Sequence, residues 1–222
     1  MTNIYESQEF SLLKDYSMHP GGLRLTDRAV RLAGLSKDMH VADIGCGAGS
    51  TAAYLAGKYG LVMTGLDISR QLIRAGLNKY PGLKFINMDC RTLPFKPQSL
   101  DAVLFECALS VIGYDDKTLE ECACSLRVNG KIIISDLFAK KDSPDRSVIS
   151  TFTRLESMLA ATGFTVEVSE DHTPALITYA AEIYGQFGGY PEADRFLCSR
   201  YAGGFKISNH CYQLVIAKKI KE

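Results

Sequence analysis

The run Val41-Ala42-Asp43-Ile44-Gly45-Cys46-Gly47-Ala48-Gly49-Ser50 constrains this chain more than any other stretch. An apolar segment ends in an acidic turn, three glycines follow at alternate positions, and a helix-compatible run from Thr51 to Tyr59 comes next. Glycines at that density let the backbone turn sharply and let a ligand approach the main chain. A strand that feeds a glycine-rich turn and then a helix is the local geometry of a nucleotide-type site in an open α/β sheet.

The residues that follow keep this rhythm. Short apolar runs over Val41–Ile44, Leu61–Leu66, Leu83–Met88, Leu100–Phe105 and Lys131–Ser135 read as buried strands. They alternate with helical patterns over Ser50–Tyr59, Arg70–Lys79 and Asp116–Leu126, with Ser69 placed to cap the second and Asp115-Asp116 opening the third. Such alternation argues for a parallel sheet covered on both faces. Further on come a helix over Ser150–Ala161 closed by Gly163, a strand over Phe164–Val168, and a helix over Thr173–Phe187. A helix from Pro191 to Tyr201 and a last strand over Cys211–Ala217 complete the pattern. Before the glycine run, Thr2–Tyr16 and Leu23–Leu35 read as amphipathic helices around the turn His19-Pro20-Gly21-Gly22. The second of these carries Leu25, Ala29, Leu32 and Ala33 on one face.

Bulk properties exclude several function classes. A chain of 222 residues at 46% hydrophobic composition supports one sizeable core and a single domain. Basic and acidic residues number 25 each, so the broad positive footprint of a nucleic-acid binder is missing. Met1–Phe10 lacks the basic-then-apolar pattern of a signal peptide, and no apolar run approaches the roughly 18 residues of a membrane span. The seven cysteines are scattered without a CxxC pair, and Cys122-Ala123-Cys124 stands alone. Reduced thiols in a cytoplasmic protein, with no metal site, are the expectation.

The glycine spacing bears on the cofactor. A dinucleotide loop needs glycine at its first, third and sixth positions, which here are Gly45, Gly47 and Ser50. Asp43 adds a carboxylate at the lip of the first strand, where it would repel a pyrophosphate and favour a cationic cofactor. Two other classes stay open at this point: a nicotinamide-dependent oxidoreductase, and a catalytically inert domain that has kept a cofactor site.

Five segments in fixed order carry a resemblance. They are the glycine run, Gly65-Leu66-Asp67-Ile68-Ser69, Asn87-Met88-Asp89-Cys90 with Leu93-Pro94-Phe95, Leu100-Asp101-Ala102-Val103, and Leu126-Arg127-Val128-Asn129-Gly130-Lys131-Ile132-Ile133-Ile134. With these, residues 25–137 resemble a class I S-adenosylmethionine-dependent methyltransferase, most similar to the small-molecule enzymes of the ubiquinone/menaquinone-biosynthesis type. The resemblance implies a Rossmann-like, doubly wound seven-stranded α/β sheet, mostly parallel, with an antiparallel last strand. It would carry an N-terminal helical cap over 1–36, a cofactor core over 37–137 and a substrate-side half over 138–222. A helical insertion over 172–208 would precede the last strand.

The same resemblance implies a site. Asp43, Gly45, Cys46, Gly47 and Gly49 would surround the methionine and ribose portions of the cofactor, with no chemistry assigned to Cys46. Asp67 would accept hydrogen bonds from the ribose hydroxyls, Ile68 would pack on the adenine, and Asp89 and Cys90 would flank the ring. Glu106 would face the cofactor's methyl-bearing end. Catalytic candidates are His19, Glu106 and Cys107, with His172 and His210 as further histidines near the acceptor side; His40 and Asp101 read as structural. The implied acceptor is a small molecule rather than a nucleic acid, transferred to by a monomer or homodimer.

Overall fold

The computed structural model describes residues 19–140, 150–186 and 207–220. Its elements in order are α1 (Gly22–Ala33), β1 (His40–Ile44), α2 (Ser50–Tyr59), β2 (Val62–Asp67) and α3 (Arg70–Lys79). There follow β3 (Lys84–Asn87), β4 (Leu100–Glu106), a single turn α4 (Leu109–Ile112), α5 (Asp116–Ser125) and β5 (Leu126–Ala139). The chain closes with α6 (Phe152–Ala161), β6 (Phe164–Asp171), α7 (Thr173–Gln186) and β7 (His210–Lys219). The expected helices over Thr2–Tyr16 and Pro191–Tyr201, and Phe187 at the end of α7, lie outside the described residues.

All seven strands form one sheet in the order β3-β2-β1-β4-β5-β7-β6. The first five pair in parallel, and β7 runs antiparallel to both β5 and β6. The strand order reverses between β1 and β4, so the crevice beyond their carboxyl ends is where an open α/β sheet binds ligands.

Two apolar layers cover the sheet. One face packs Leu25, Ala29 and Val30 of α1, Ala52 and Leu55 of α2, and Leu176, Ala180 and Ile183 of α7 against strand residues such as Val41, Leu104 and Tyr212. The opposite face packs Leu119 and Cys122 of α5 and Leu155 and Leu159 of α6 against Ile44, Val103, Phe105 and Ile134. Adjacent strand residues divide between the layers because side chains alternate along a strand.

Local chemistry fixes the helix ends. Ser69 Oγ accepts the Leu72 amide at 3.3 Å, Asp115 accepts the Lys117 amide at 3.0 Å, and Thr151 accepts the Arg154 amide at 3.3 Å. Thr151 as the cap starts α6 at Phe152, two residues later than its pattern suggests.

Two sequence expectations need correction, and one element had no counterpart among them. Leu32 is 40% exposed, while Thr26 and Val30 are buried on α1 in its place. β5 extends from Leu126 to Ala139, beyond the five residues read as its strand at both ends: Leu126 pairs with Leu100 of β4, and β7 pairs with the far end as far as Ala139↔His210. The one-turn helix α4 has too few residues for a periodic signal and was absent from the pattern.

Candidate active site

The glycine turn is shaped by what lies beneath it. Gly49 is left-handed at φ 78, and a Cβ there would sit 2.3 Å from the Phe85 ring of β3. Gly47 is also left-handed, at φ 56, but a Cβ there would meet nothing within 4 Å. The loop is therefore packed tightly on one side and open above Gly47, which leaves room for a ligand against the backbone.

Carboxylates ring this opening at the ends of three adjacent strands. Asp67, at the end of β2, accepts the Gly47 amide at 2.9 Å and the Ser69 amide at 2.8 Å. It therefore ties the loop to the next helix while keeping acceptor capacity, since a carboxylate offers about four lone-pair sites. Ile68 beside it is 68% exposed, an apolar surface at the lip of the crevice. Asp43 on β1 is buried, and its Oδ2 has no hydrogen-bond partner among the described residues. Burial pushes the Asp43 carboxyl well above the usual carboxylate range, and the negative charges of Glu106 and Asp67 push it further. Burial and the same kind of carboxylate neighbours, Asp43 and Asp67, raise the Cys46 thiol, so it stays protonated.

Glu106 ends β4 on the face shared by Ala102 and Leu104, under α1 and α2. Its Oε1 accepts from Thr26 Oγ1 at 2.7 Å, and its Oε2 accepts from Thr51 Oγ1 at 2.9 Å. His19 Nε2 lies 3.1 Å from the same Oε2, with both side chains about 5% exposed. Burial alone would raise the Glu106 carboxyl, but the His19 charge and the donors around it outweigh that and hold it below its ordinary value. The other His19 nitrogen, Nδ1, faces the Pro20 carbonyl at 3.2 Å. Each ring nitrogen thus faces an oxygen acceptor, Glu106 at Nε2 and the Pro20 carbonyl at Nδ1.

The structure brings His19 to Glu106 from far away in the chain, and adds Thr26 and Thr51, which the sequence reading missed. The available signal was a threonine on an apolar helix face and another in the first turn after the glycines, each needing a partner once buried. Cys107 sits elsewhere. It is left-handed at φ 51, its amide donates to Ser135 O at 2.8 Å, and its thiol faces Tyr212 Oη at 3.3 Å. Tyr212 Oη in turn donates to Ser135 O at 3.0 Å. Cys107 is thereby a buried thiol set against a phenol.

The adenine-side candidates Asp89 and Cys90 follow β3, whose end is tied to β2 by the Met88 amide donating to Asp67 O at 3.1 Å. Asp89 pairs with Arg91 near the surface, which lowers its carboxyl to about 2. The Cys90 thiol turns towards Thr118 of α5, at 3.8 Å. His172 pairs with Glu170, which also binds Arg28 of α1. His210 is buried at the start of β7. Asp101 accepts the His40 amide at 2.7 Å and pairs with Arg127, so both residues brace the opposite end of the sheet. Among the described residues no cluster of three His, Cys, Asp or Glu side chains could hold a metal, and no helix is long and apolar enough to cross a membrane.

Comparison with known proteins agrees with this geometry. Residues 42–134 match the methyltransferase domain family. An O-methyltransferase of Penicillium expansum is 31% identical over 142 residues, covering 58% of this chain and 50% of that protein. A ubiquinone/menaquinone biosynthesis C-methyltransferase of Campylobacter jejuni is 29% identical over 114 residues, covering 49% of this chain and 48% of that protein. The chain thus spans about half the length of these curated relatives. The crystal structure of a protein described as a sarcosine dimethylglycine methyltransferase of Galdieria sulphuraria superposes with a TM-score of 0.83 at 15% identity. That superposition covers 98% of this chain and 99% of the other, and it shows a shared fold. The glycine loop, the strand order and the family match over residues 42–134 make this chain similar to the S-adenosylmethionine-dependent methyltransferases.

Proposed function

We propose that this protein transfers the methyl group of S-adenosylmethionine to a small-molecule acceptor by in-line displacement. The observation that carries the reading is the buried, unpartnered Asp43 Oδ2 beside a glycine loop that is open above Gly47. A buried carboxylate oxygen without a donor costs stability unless a ligand supplies one. With Asp67 and Glu106 nearby, the electrostatics suit a ligand that brings an ammonium and a sulfonium. They do not suit a pyrophosphate.

When bound, the cofactor supplies an electrophilic methyl on sulfur. The chain's own residues have the remaining tasks of binding, aligning and excluding water. In this reading Asp67 holds the ribose hydroxyls, Ile68 covers one adenine face, Asp89 and Cys90 border the ring, and Asp43 and Glu106 face the methionine end. Cys46, Gly45, Gly47 and Gly49 form the floor. The matched relatives are named for transfer to oxygen and to carbon, which supports a small-molecule acceptor without choosing its atom. The balanced charge supports the same class over nucleic acid. The scattered cysteines, without a CxxC pair, support a reducing, cytoplasmic setting.

The test is transfer of labelled methyl from S-adenosylmethionine to a metabolite extract. Label in one or a few small molecules, lost in Asp67→Ala, is the expected result. Cofactor binding without any labelled acceptor would instead identify an inert binding domain.

A further inference from the structure

The His19–Glu106 pair has a consequence for the cofactor that goes beyond holding the fold. Three carboxylates end adjacent parallel strands. Asp43 pairs in register with Gly65 of β2 and Leu104 of β4, and Asp67 and Glu106 lie two residues further along those strands. The three are close enough that Glu106 and Asp67 both disfavour the ionised form of Asp43. His19, a cation in its protonated form, stands in this negative field 3.1 Å from Glu106 Oε2 and buried with it. It is delivered by the turn before α1, the helix whose Thr26 also donates to Glu106.

S-adenosylmethionine and its product S-adenosylhomocysteine differ in one methyl group and one positive charge on sulfur. We propose that His19 is a resident counter-charge to Glu106 that sets how strongly the site prefers the sulfonium cofactor over its neutral product. His19 cancels part of the field that would otherwise favour the sulfonium, so the product competes on more even terms than the carboxylates alone would allow. Thr26 and Thr51 keep Glu106 oriented and hydrogen-bonded whether or not His19 carries charge. His19 is a specificity-determining residue in this account and takes no part in bond making. The proposal rests on the reading that Glu106 lies beside the methionyl end of the cofactor.

The experiment is calorimetric titration of both ligands into wild type, His19→Gln, Glu106→Gln, the double variant and Asp67→Ala. The quantity read is the ratio of the two affinities. His19→Gln should raise the preference for S-adenosylmethionine about tenfold, the size of one unit-charge interaction at about 10 Å in a medium of effective dielectric about 20. Glu106→Gln should lower it by a similar factor. The double variant, neutral like the intact pair, should return towards the wild-type ratio. Both single variants nearly keep side-chain volume, and the double variant keeps the test open should one single variant fold poorly. Equal weakening of both ligands would mean a purely structural latch and would overturn the proposal, as would ratios that do not move. If neither ligand binds wild type, the cofactor reading fails instead. If Asp67→Ala abolishes binding while the His19 and Glu106 variants leave the ratio untouched, the cofactor reading stands and this inference falls.

Discussion

The Gly47 amide donates to Asp67 Oδ2 at 2.9 Å, which joins the glycine loop after β1 to the end of β2 as one unit. The other Asp67 oxygen takes the Ser69 amide at 2.8 Å, and Ser69 itself caps α3. One carboxylate therefore orders the loop, starts the next helix and faces the crevice.

Replacing Asp67 with Ala removes the acceptor for both amides and the proposed ribose ligand. Cofactor affinity should fall about 100-fold, as expected for two hydrogen bonds to a charged group. The fold should lose about 1–3 kcal/mol from the orphaned amides. Calorimetry and denaturant unfolding read the two effects separately.

Gly49→Ala meets two obstacles at once. The backbone is left-handed at φ 78, and the new Cβ would stand 2.3 Å from the Phe85 ring. Unfolding should show a loss of about 2–4 kcal/mol from strain and forced repacking. Adding Phe85→Leu should return part of that loss by opening space beneath the loop, and an additive outcome would mean that the ring is not the obstacle.

Glu106→Gln leaves the buried His19 without its charged partner and should cost about 3 kcal/mol near neutral pH. The pH dependence has a definite sign. Glu106 is held below its ordinary value of 4.5, so its contribution is fully present above that value and is lost as pH falls through its lowered folded value. Wild type and Glu106→Gln should therefore converge in stability as pH falls through that lowered value.

Asp43→Asn should behave in the opposite way. Burial and two neighbouring carboxylates raise the Asp43 carboxyl, so it costs stability increasingly as pH rises from the ordinary value of 3.8 through that raised value. The Asn variant should melt a few degrees higher than wild type near neutral pH, with the advantage shrinking as pH falls and Asp43 takes up its proton. Cofactor affinity should fall in the same variant. A gain in stability with a loss of binding is the signature of a carboxylate kept for function.

The sequence carried the α/β alternation because buried strands and amphipathic helices have different periods. α2 and α3 begin and end where the pattern places them, since Gly49, Ser69 and the breaks after Tyr59 and Lys79 punctuate them. What escaped had no local signature. Leu32 sits among apolar neighbours on α1, yet rotates to solvent while Thr26 turns inward. That inward face exists because Glu106, 80 residues away, needs the hydroxyl. The far end of β5 depends on pairing with β7, which arrives at the end of the chain. In the candidate site, the glycines, Asp43 and Asp67 were legible as a group because β1, its loop and the next strand hold them. The His19–Thr26–Thr51–Glu106 cluster draws on four elements or turns, and only the folded sheet brings them together.

The most direct test of the whole account is a thermal-shift comparison of the purified chain with S-adenosylmethionine, S-adenosylhomocysteine and NAD. A ligand at 100 times its dissociation constant adds about 2.7 kcal/mol to the stability of the state that binds it. The expected result is a clear rise in melting temperature with both S-adenosyl compounds and none with NAD. Stabilisation by NAD alone would contradict the account.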